Sequence, residues 1–222
     1  MKSIAYIRVK SFVLATLSLL ALGLLAACGT NYNLTAASAQ NATLYTTQAQ
    51  KSISAQGIKA YSFPVVPAGA AIKKCLPYAH AEATIVPDTL NDTMLFQAYR
   101  LAPNQKYTLF VTQFPGKPFG ISWYQGAIET NRYGDGNVIV RGILDPKTFS
   151  VSPGGTTTFA PTNQYHLGLW FSDPQTPFKL GCESGAKAPI VTPFNGAHHA
   201  GILALNTGNF PLNAGPLSKI QH

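Results

Sequence analysis

Two adjacent histidines, His198 and His199, are the residues whose types point most directly to chemistry. They lie in TPFNGAHHAG, residues 192–201, where an imidazole could ligate a metal ion or transfer a proton. In an extended segment adjacent side chains point to opposite faces, so the two rings cannot chelate one ion. The closely spaced further ligands of a typical zinc site are also missing from this stretch of sequence. We therefore expect no metal site and no cofactor, with one histidine hydrogen-bonded in the packing and the other near solvent.

Acid–base chemistry would need a carboxylate near one of the histidines. Glu129 is the only acidic residue well inside a strand-like run, because most of the others stand beside Pro or Gly in turns. The sequence contains neither the GxSxG motif of a serine nucleophile elbow nor a phosphate-binding GxxxxGK[ST] motif. The favoured interpretation is a protein without a catalytic site. The alternative is a secreted hydrolase with an unrecognised site, using Glu129, His166 or the pair His198 and His199, and a second alternative is a metal-binding envelope protein.

Aromatic side chains offer a different kind of site. Trp123, Tyr124 and Tyr133 lie near one another in sequence, and exposed aromatic rings bind sugars and peptides by stacking. The competing interpretation, which we favour for Trp123, places the indole in the core, as is common for a tryptophan in a strand. Trp170, between Leu169 and Phe171, is expected in the core.

The N-terminus carries a targeting signal. MKSIAYIRVK is basic and has no acid, and the seventeen uncharged residues that follow are fewer than the roughly 20 of a membrane-spanning helix. The run ends in Leu25-Ala26-Ala27-Cys28, which resembles the lipobox of bacterial lipoproteins. The resemblance implies removal of residues 1–27, lipidation of Cys28 and an extracytoplasmic location at the cell membrane. The alternatives are an ordinary cleavage after Ala39 and an uncleaved anchor.

The remaining cysteines agree with export. With Cys28 assigned to the lipid, Cys75 and Cys182 form an even pair in an oxidising compartment, and we predict a disulfide between them. The alternative is that one of them is a nucleophile paired with His166 or His198. No motif around either cysteine supports that role.

Charge and composition restrict the partners. Only 11% of the residues are charged, against about 25% in ordinary soluble proteins. Removing the basic residues of the signal leaves 13 Lys or Arg against 8 acids, and these are scattered, with Lys73-Lys74 the only basic pair. Nucleic-acid binding would need a clustered basic stripe, so we exclude it. Residues 28–59, rich in Thr, Ala, Ser, Gln and Asn, predict a flexible tether.

The domain from residue 60 to 222 shows short alternating runs separated by Pro and Gly. KYTLFVTQF places Tyr107, Leu109 and Val111 on one face, and NVIVRGIL and YHLGLWFS alternate in the same way. Between them, the turn around Gly134-Asp135-Gly136 has too few acids for a calcium loop and predicts a hairpin. No ten-residue stretch of the mature chain shows a helical repeat. The pattern predicts an all-β protein, an antiparallel β-sandwich of seven to nine strands.

Two resemblances concern the domain. YTLFVTQF, ISWYQGAIETN and NVIVRG resemble the strand–turn–strand pattern of Ig-like secreted bacterial domains. From about residue 188 the chain becomes an irregular tail, which we expect Phe210, Leu212 and Leu217 to pack. In it TPFNGxHxAG and NFPxxxGPL resemble the end of uncharacterised secreted bacterial proteins, a likeness that implies no activity. Together the sequence predicts a lipid-anchored, non-catalytic binding or structural module of the bacterial envelope, whose partners are a wall polymer, a carbohydrate or another protein.

Overall fold

The computed structural model describes residues 60–147, 150–151, 158–159, 161–193 and 199–220. The strands described are β1 (Tyr61–Pro67), β2 (His80–Val86), β3 (Asp92–Tyr99), β4 (Lys106–Thr112), β5 (Ser122–Glu129), β6 (Gly136–Gly142), β7 (Ser150–Val151), β8 (Thr158–Phe159), β9 (His166–Phe171), β10 (Thr192–Pro193), β11 (His199–Ala200) and β12 (Leu203–Asn206). Two short helices, α1 (Ala70–Cys75) and α2 (Gln175–Lys179), and a 3₁₀ turn over Pro216–Lys219 complete this part of the chain. The cysteine pair, most of the predicted site residues and the C-terminal tail fall within it. Cys28, the predicted signal, the predicted tether and His198 lie outside the described residues.

Eight of the strands form one antiparallel sheet in the order β5-β4-β9-β12-β1-β2-β3-β6, which is nearly closed. The predicted all-β antiparallel fold is confirmed, and the eight strands of this sheet agree with the predicted seven to nine. Strand β1 joins the two halves of the sheet: residues 61–65 pair with β2, whereas Val66 and Pro67 pair with β12. A strand that changes partner in this way makes the corner at which one layer passes into the other.

The main core lies between the two halves of the sheet. Phe63, Ile85 and Phe96 from one half pack in the same cluster as Leu109 and Leu167 from the other. The predicted faces are confirmed, because Tyr107, Leu109 and Val111 of β4 are all buried in this cluster. Alternation along β4 therefore decided which of its residues entered the main core.

A second, smaller apolar cluster covers the opposite face of β4 and β9. It contains Phe110, Trp170 and Ala200, with Phe119 packed against it. The ring of Trp170 lies over Gly168, where a Cβ would come within 2.4 Å of it. Trp170 is only 1% exposed, so the prediction that it belongs to the core is confirmed.

The turn between β5 and β6 forms as predicted, but it does not join a paired hairpin. Asn131 Oδ1 accepts hydrogen bonds from the N–H groups of Tyr133 and Asp135, and Asp135 Oδ1 accepts one from Arg100 N–H. Gly134 has a φ of 81°, and a Cβ there would lie 2.0 Å from the Leu101 carbonyl oxygen. Strand β5 pairs with β4 and strand β6 with β3, at opposite ends of the strand order. The turn therefore brings the two edges of the sheet together.

The C-terminal tail is held against the sheet by contacts that the sequence showed only in part. Leu217 and Ile220 are fully buried, and Phe210 packs against Phe63 with ring centroids 5.9 Å apart. The prediction for Leu212 is wrong, since its side chain is 56% exposed. The tail is held there by the Leu212 backbone carbonyl instead, which lies within hydrogen-bond distance of His166 Nε2. In the part of the chain described, none of the helices combines the length and apolar character needed to cross a membrane.

Candidate functional site

The two described candidates for acid–base chemistry that lie in the large sheet do not meet. Glu129 is opposite Lys106 at one end of β4, and its carboxylate lies 2.9 Å from the Lys106 ammonium. The hydrogen bond and charge of Glu129 raise the pKa of Lys106, although both side chains are largely exposed. His166 is opposite Thr112, six residues further along β4 and therefore about 20 Å away. Glu129 and His166 thus make no common acid–base site.

His166 is a fully buried histidine with both ring nitrogens occupied. Its Nε2 lies 2.9 Å from the Leu212 carbonyl oxygen, which can only accept, so Nε2 carries the proton. In the neutral ring Nδ1 then accepts from the Thr207 hydroxyl at 2.9 Å, while the Thr207 oxygen accepts from Leu167 N–H. Burial lowers the pKa of His166, outweighing the opposite effect of these hydrogen bonds. The ring is a neutral structural link between β9 and the tail.

Of the adjacent histidines His198 and His199, the structure describes His199. His199 is exposed on the short strand β11, next to the buried Ala200. Its position near solvent agrees with the expectation for one of the two histidines. Within the described residues, no group of three or more His, Cys, Asp or Glu side chains is arranged to hold a metal ion.

The predicted disulfide is confirmed. Cys75 at the end of α1 is bonded to Cys182, 107 residues further along the chain, and Cys182 is buried. Both sulfur atoms are therefore used in the disulfide, so neither cysteine is a free thiol that could act as a nucleophile with His166 or His198. The bond ties α1 to the loop after α2, outside the large sheet.

The aromatic candidates divide into two places. Trp123 is 45% exposed and Tyr124 is 54% exposed on the edge strand β5, so the preferred assignment of Trp123 to the core is wrong. An edge strand has a neighbour on one side only, which leaves its side chains less covered than those of a central strand. Tyr124 packs edge-on against Phe110 with ring centroids 5.9 Å apart. Because Trp123 is opposite Val111 and Tyr124 is opposite Phe110, the two neighbouring rings point to opposite faces of β5. We call Trp123 and Tyr124 the β5 aromatic pair.

Tyr133 does not belong to this pair. It lies in the turn beyond the far end of β5, and Trp123 and Glu129 alone are separated by six residues, about 20 Å of strand. Its hydroxyl accepts a hydrogen bond from Arg132, whose guanidinium carbon lies 4.6 Å from the ring centroid. Proximity in sequence therefore did not predict proximity in space here.

A cavity of about 200 Å³ is the feature that sequence reasoning missed. It is lined by two aromatic and three amide side chains, namely Gln113, Phe114, Asn163, Tyr165 and Asn213. We call it the amide cavity. Its residues come from three segments: the start of the β4–β5 loop, the approach to β9 and the tail. The only signal in the sequence is the polar run TNQYH before β9, which has no periodic pattern.

The amide cavity and the β5 aromatic pair lie at the same end of the β4–β5 hairpin. Trp123 is opposite Val111, and Gln113 is two residues, about 7 Å, further along that chain. Gln113 N–H donates to the Ile121 carbonyl at 2.9 Å, which continues the pairing beyond the strands. Two exposed aromatic side chains and a small polar cavity therefore lie at the same end of this hairpin.

Comparison with known proteins assigns no family to the chain. No protein-family model matches it, and no curated protein matches it significantly.

Proposed function

We infer that this protein is a non-catalytic binding module that is held at the outer side of a bacterial membrane by a lipid on Cys28 and binds a neutral envelope polymer. The observation that carries the binding function is the β5 aromatic pair, two large rings that are exposed at adjacent positions of an edge strand, one on each of its faces. Such rings combine apolar area with a polar tip and favour flat, hydroxyl-bearing surfaces such as sugar rings.

The charge distribution supports a neutral ligand. The ion pair between Lys106 and Glu129 lies at the other end of β4 from Gln113. Apart from Lys117, the segment from Gln113 to Tyr124 carries no charged side chain. A polymer of alternating charge would find few partners on this hairpin, whereas an uncharged glycan needs only apolar contact and hydrogen bonds.

Export and anchoring are supported by the lipobox resemblance and by the disulfide. A disulfide persists in oxidising compartments and is rare in the bacterial cytoplasm. Mass spectrometry of the mature protein tests the anchor directly. We expect an N-terminus at Cys28 carrying acyl chains, and an unmodified Cys28 or a start beyond it would remove this part of the proposal.

The binding function is tested by co-sedimentation with insoluble polymers, using peptidoglycan sacculi, chitin and cellulose. We expect replacement of the β5 aromatic pair by Trp123→Ala and Tyr124→Ala to weaken binding at least fivefold, the effect of losing about 1 kcal/mol at an aromatic contact. Tyr133→Ala is the matched control, since Tyr133 is as exposed as Tyr124 but lies at the other end of β5. Equal losses in both variants would contradict a localised binding surface.

A further inference from the structure

We propose that the amide cavity binds one sugar unit of an uncharged glycan, a proposal that rests on the binding function above and names its ligand class. The cavity volume of about 200 Å³ lies below the roughly 300–1,000 Å³ of sites for drug-sized molecules. A cavity of this size suits a single ring of a longer chain and not a whole cofactor.

The lining side chains match hydroxyl groups. The five residues that line the cavity include no carboxylate, ammonium or guanidinium group. Each amide offers two N–H donors and a carbonyl acceptor, and a hydroxyl group donates one hydrogen bond and accepts others. Three amides around a small cavity therefore fit a ligand with several neighbouring hydroxyls, and the Phe114 and Tyr165 rings supply the apolar contact for its carbon skeleton.

Asn163 is fixed in position before any ligand binds. Its backbone has a φ of 55°, in the left-handed region that asparagine tolerates better than most residues. Its Oδ1 accepts a hydrogen bond from the Tyr165 hydroxyl at 2.8 Å, and its N–H donates to the Pro146 carbonyl at 3.3 Å. Both hydrogens of Nδ2 remain without a partner among the described residues. The amide thus presents two donors whose orientation is already set.

Gln113, which also lines the cavity, is fixed in a similar way. Its Oε1 accepts from Ile121 N–H at 3.4 Å and packs against Gly120, where a Cβ would lie 2.3 Å from that oxygen. Within the described part of the chain, the Nε2 hydrogens of Gln113 have no partner either. A preorganised donor costs little entropy when a ligand hydroxyl accepts from it.

The third amide, Asn213, is placed at the cavity by His166. The buried imidazole holds the Leu212 carbonyl through Nε2, and Asn213 is the next residue. A turn closed by a hydrogen bond from Ala214 N–H to the Pro211 carbonyl, 3.1 Å long, fixes the same segment. His166 is thus a positioning residue, since it reaches the cavity only through the backbone of the tail.

NMR titration of the full chain with chitotriose and cellotriose tests the proposal. We expect at least one trisaccharide to shift the side-chain amide signals of Gln113, Asn163 and Asn213. Asn163→Asp keeps the acceptor for the Tyr165 hydroxyl and removes both donors, and Asn213→Ala removes an exposed amide. Each should raise the dissociation constant about 3- to 10-fold, the effect of one or two lost hydrogen bonds. Asn137→Ala, an exposed amide on β6, should leave it unchanged.

The outcomes separate this proposal from the binding function. If neither trisaccharide shifts the cavity signals while Trp123→Ala still weakens polymer binding, the cavity proposal is wrong and the binding function stands. If trialanine binds at the cavity and the sugars do not, the site is peptide-specific and the glycan proposal is overturned. If the unaltered protein binds neither trisaccharide nor any polymer, both proposals fail.

Discussion

The disulfide between Cys75 and Cys182 should carry a large share of the stability of the domain. It closes a loop of 107 residues that contains β2 to β9 and the short helix α2. Breaking the bond leaves the native contacts in place but gives the unfolded chain a much larger set of conformations. The bond therefore acts mainly on the unfolded state in the chain-entropy model.

The size of the effect follows from the loop length. For about 107 residues, the loop-closure expression gives a loss of about 5 kcal/mol at 25 °C. In a domain of 150 to 250 residues, 1 kcal/mol changes the melting temperature by about 2–4 °C. Loss of the disulfide should therefore lower the melting temperature by about 10–20 °C.

Urea and thermal unfolding measure this loss, with Cys28→Ser as the background so that no third thiol exchanges with the pair. Two perturbations are compared, reduction of the intact pair and the double replacement Cys75→Ala and Cys182→Ala. Reduction keeps both sulfur atoms, so it isolates the effect of the loop. The double alanine variant also removes a buried sulfur at Cys182 and should be somewhat less stable still.

A melting temperature that falls by less than about 3 °C on complete reduction would refute this reasoning. It would mean that the unfolded chain keeps enough residual structure to hold residues 75 and 182 near each other without the bond. Mass spectrometry after thiol alkylation verifies that reduction is complete.

Two further predictions concern buried positions. Because burial lowers the pKa of His166, the unfolded chain binds a proton below about pH 6.5 where the folded chain does not. The contribution of the neutral His166 to stability is therefore present above that pH and is lost as the pH falls, at up to about 1.4 kcal/mol per pH unit. In urea unfolding, the stability advantage of the unaltered protein over His166→Gln should shrink between pH 7 and pH 5. A difference that stays constant over this range would contradict the argument. Gly168→Ala should lower the free energy of unfolding by about 1–3 kcal/mol, because the added Cβ would overlap the buried Trp170 ring. Gly142→Ala is the control and should lower it far less, because nothing lies within 4 Å of a Cβ there. Equal melting temperatures for the two variants would show that the Trp170 ring moves aside.

The local content of the fold could be predicted from the sequence because it depends on local rules. Alternation with a period of two identified the residues of β4, β6 and β9 that face the main core, and Gly and Asp residues marked the turn at 131–136. Parity of the cysteines was enough to pair Cys75 with Cys182, once Cys28 was set aside. None of these inferences needed to know which strands are neighbours.

Only the tertiary structure decided which strands and segments lie next to one another. The same alternation that puts Trp123 in a strand does not tell whether that strand is central or at an edge, and β5 is at the edge, so the ring is exposed. His166 is buried because a tail 41 to 46 residues later folds over it. A pattern within one strand does not show what covers its face.

The amide cavity is the clearest case of this limit. Gln113, Asn163 and Asn213 are about 50 residues apart from one another along the chain, and each taken alone is an ordinary loop residue. They meet because β4 and β9 are paired and because the tail is held against the start of β9 by His166 and by the Leu217 N–H to Tyr165 carbonyl bond. The sequence by itself determined the strands, their buried faces and the disulfide, since these follow from periodicity and composition. The site depends on long-range pairing, which brings distant loops together and has no local pattern in the sequence.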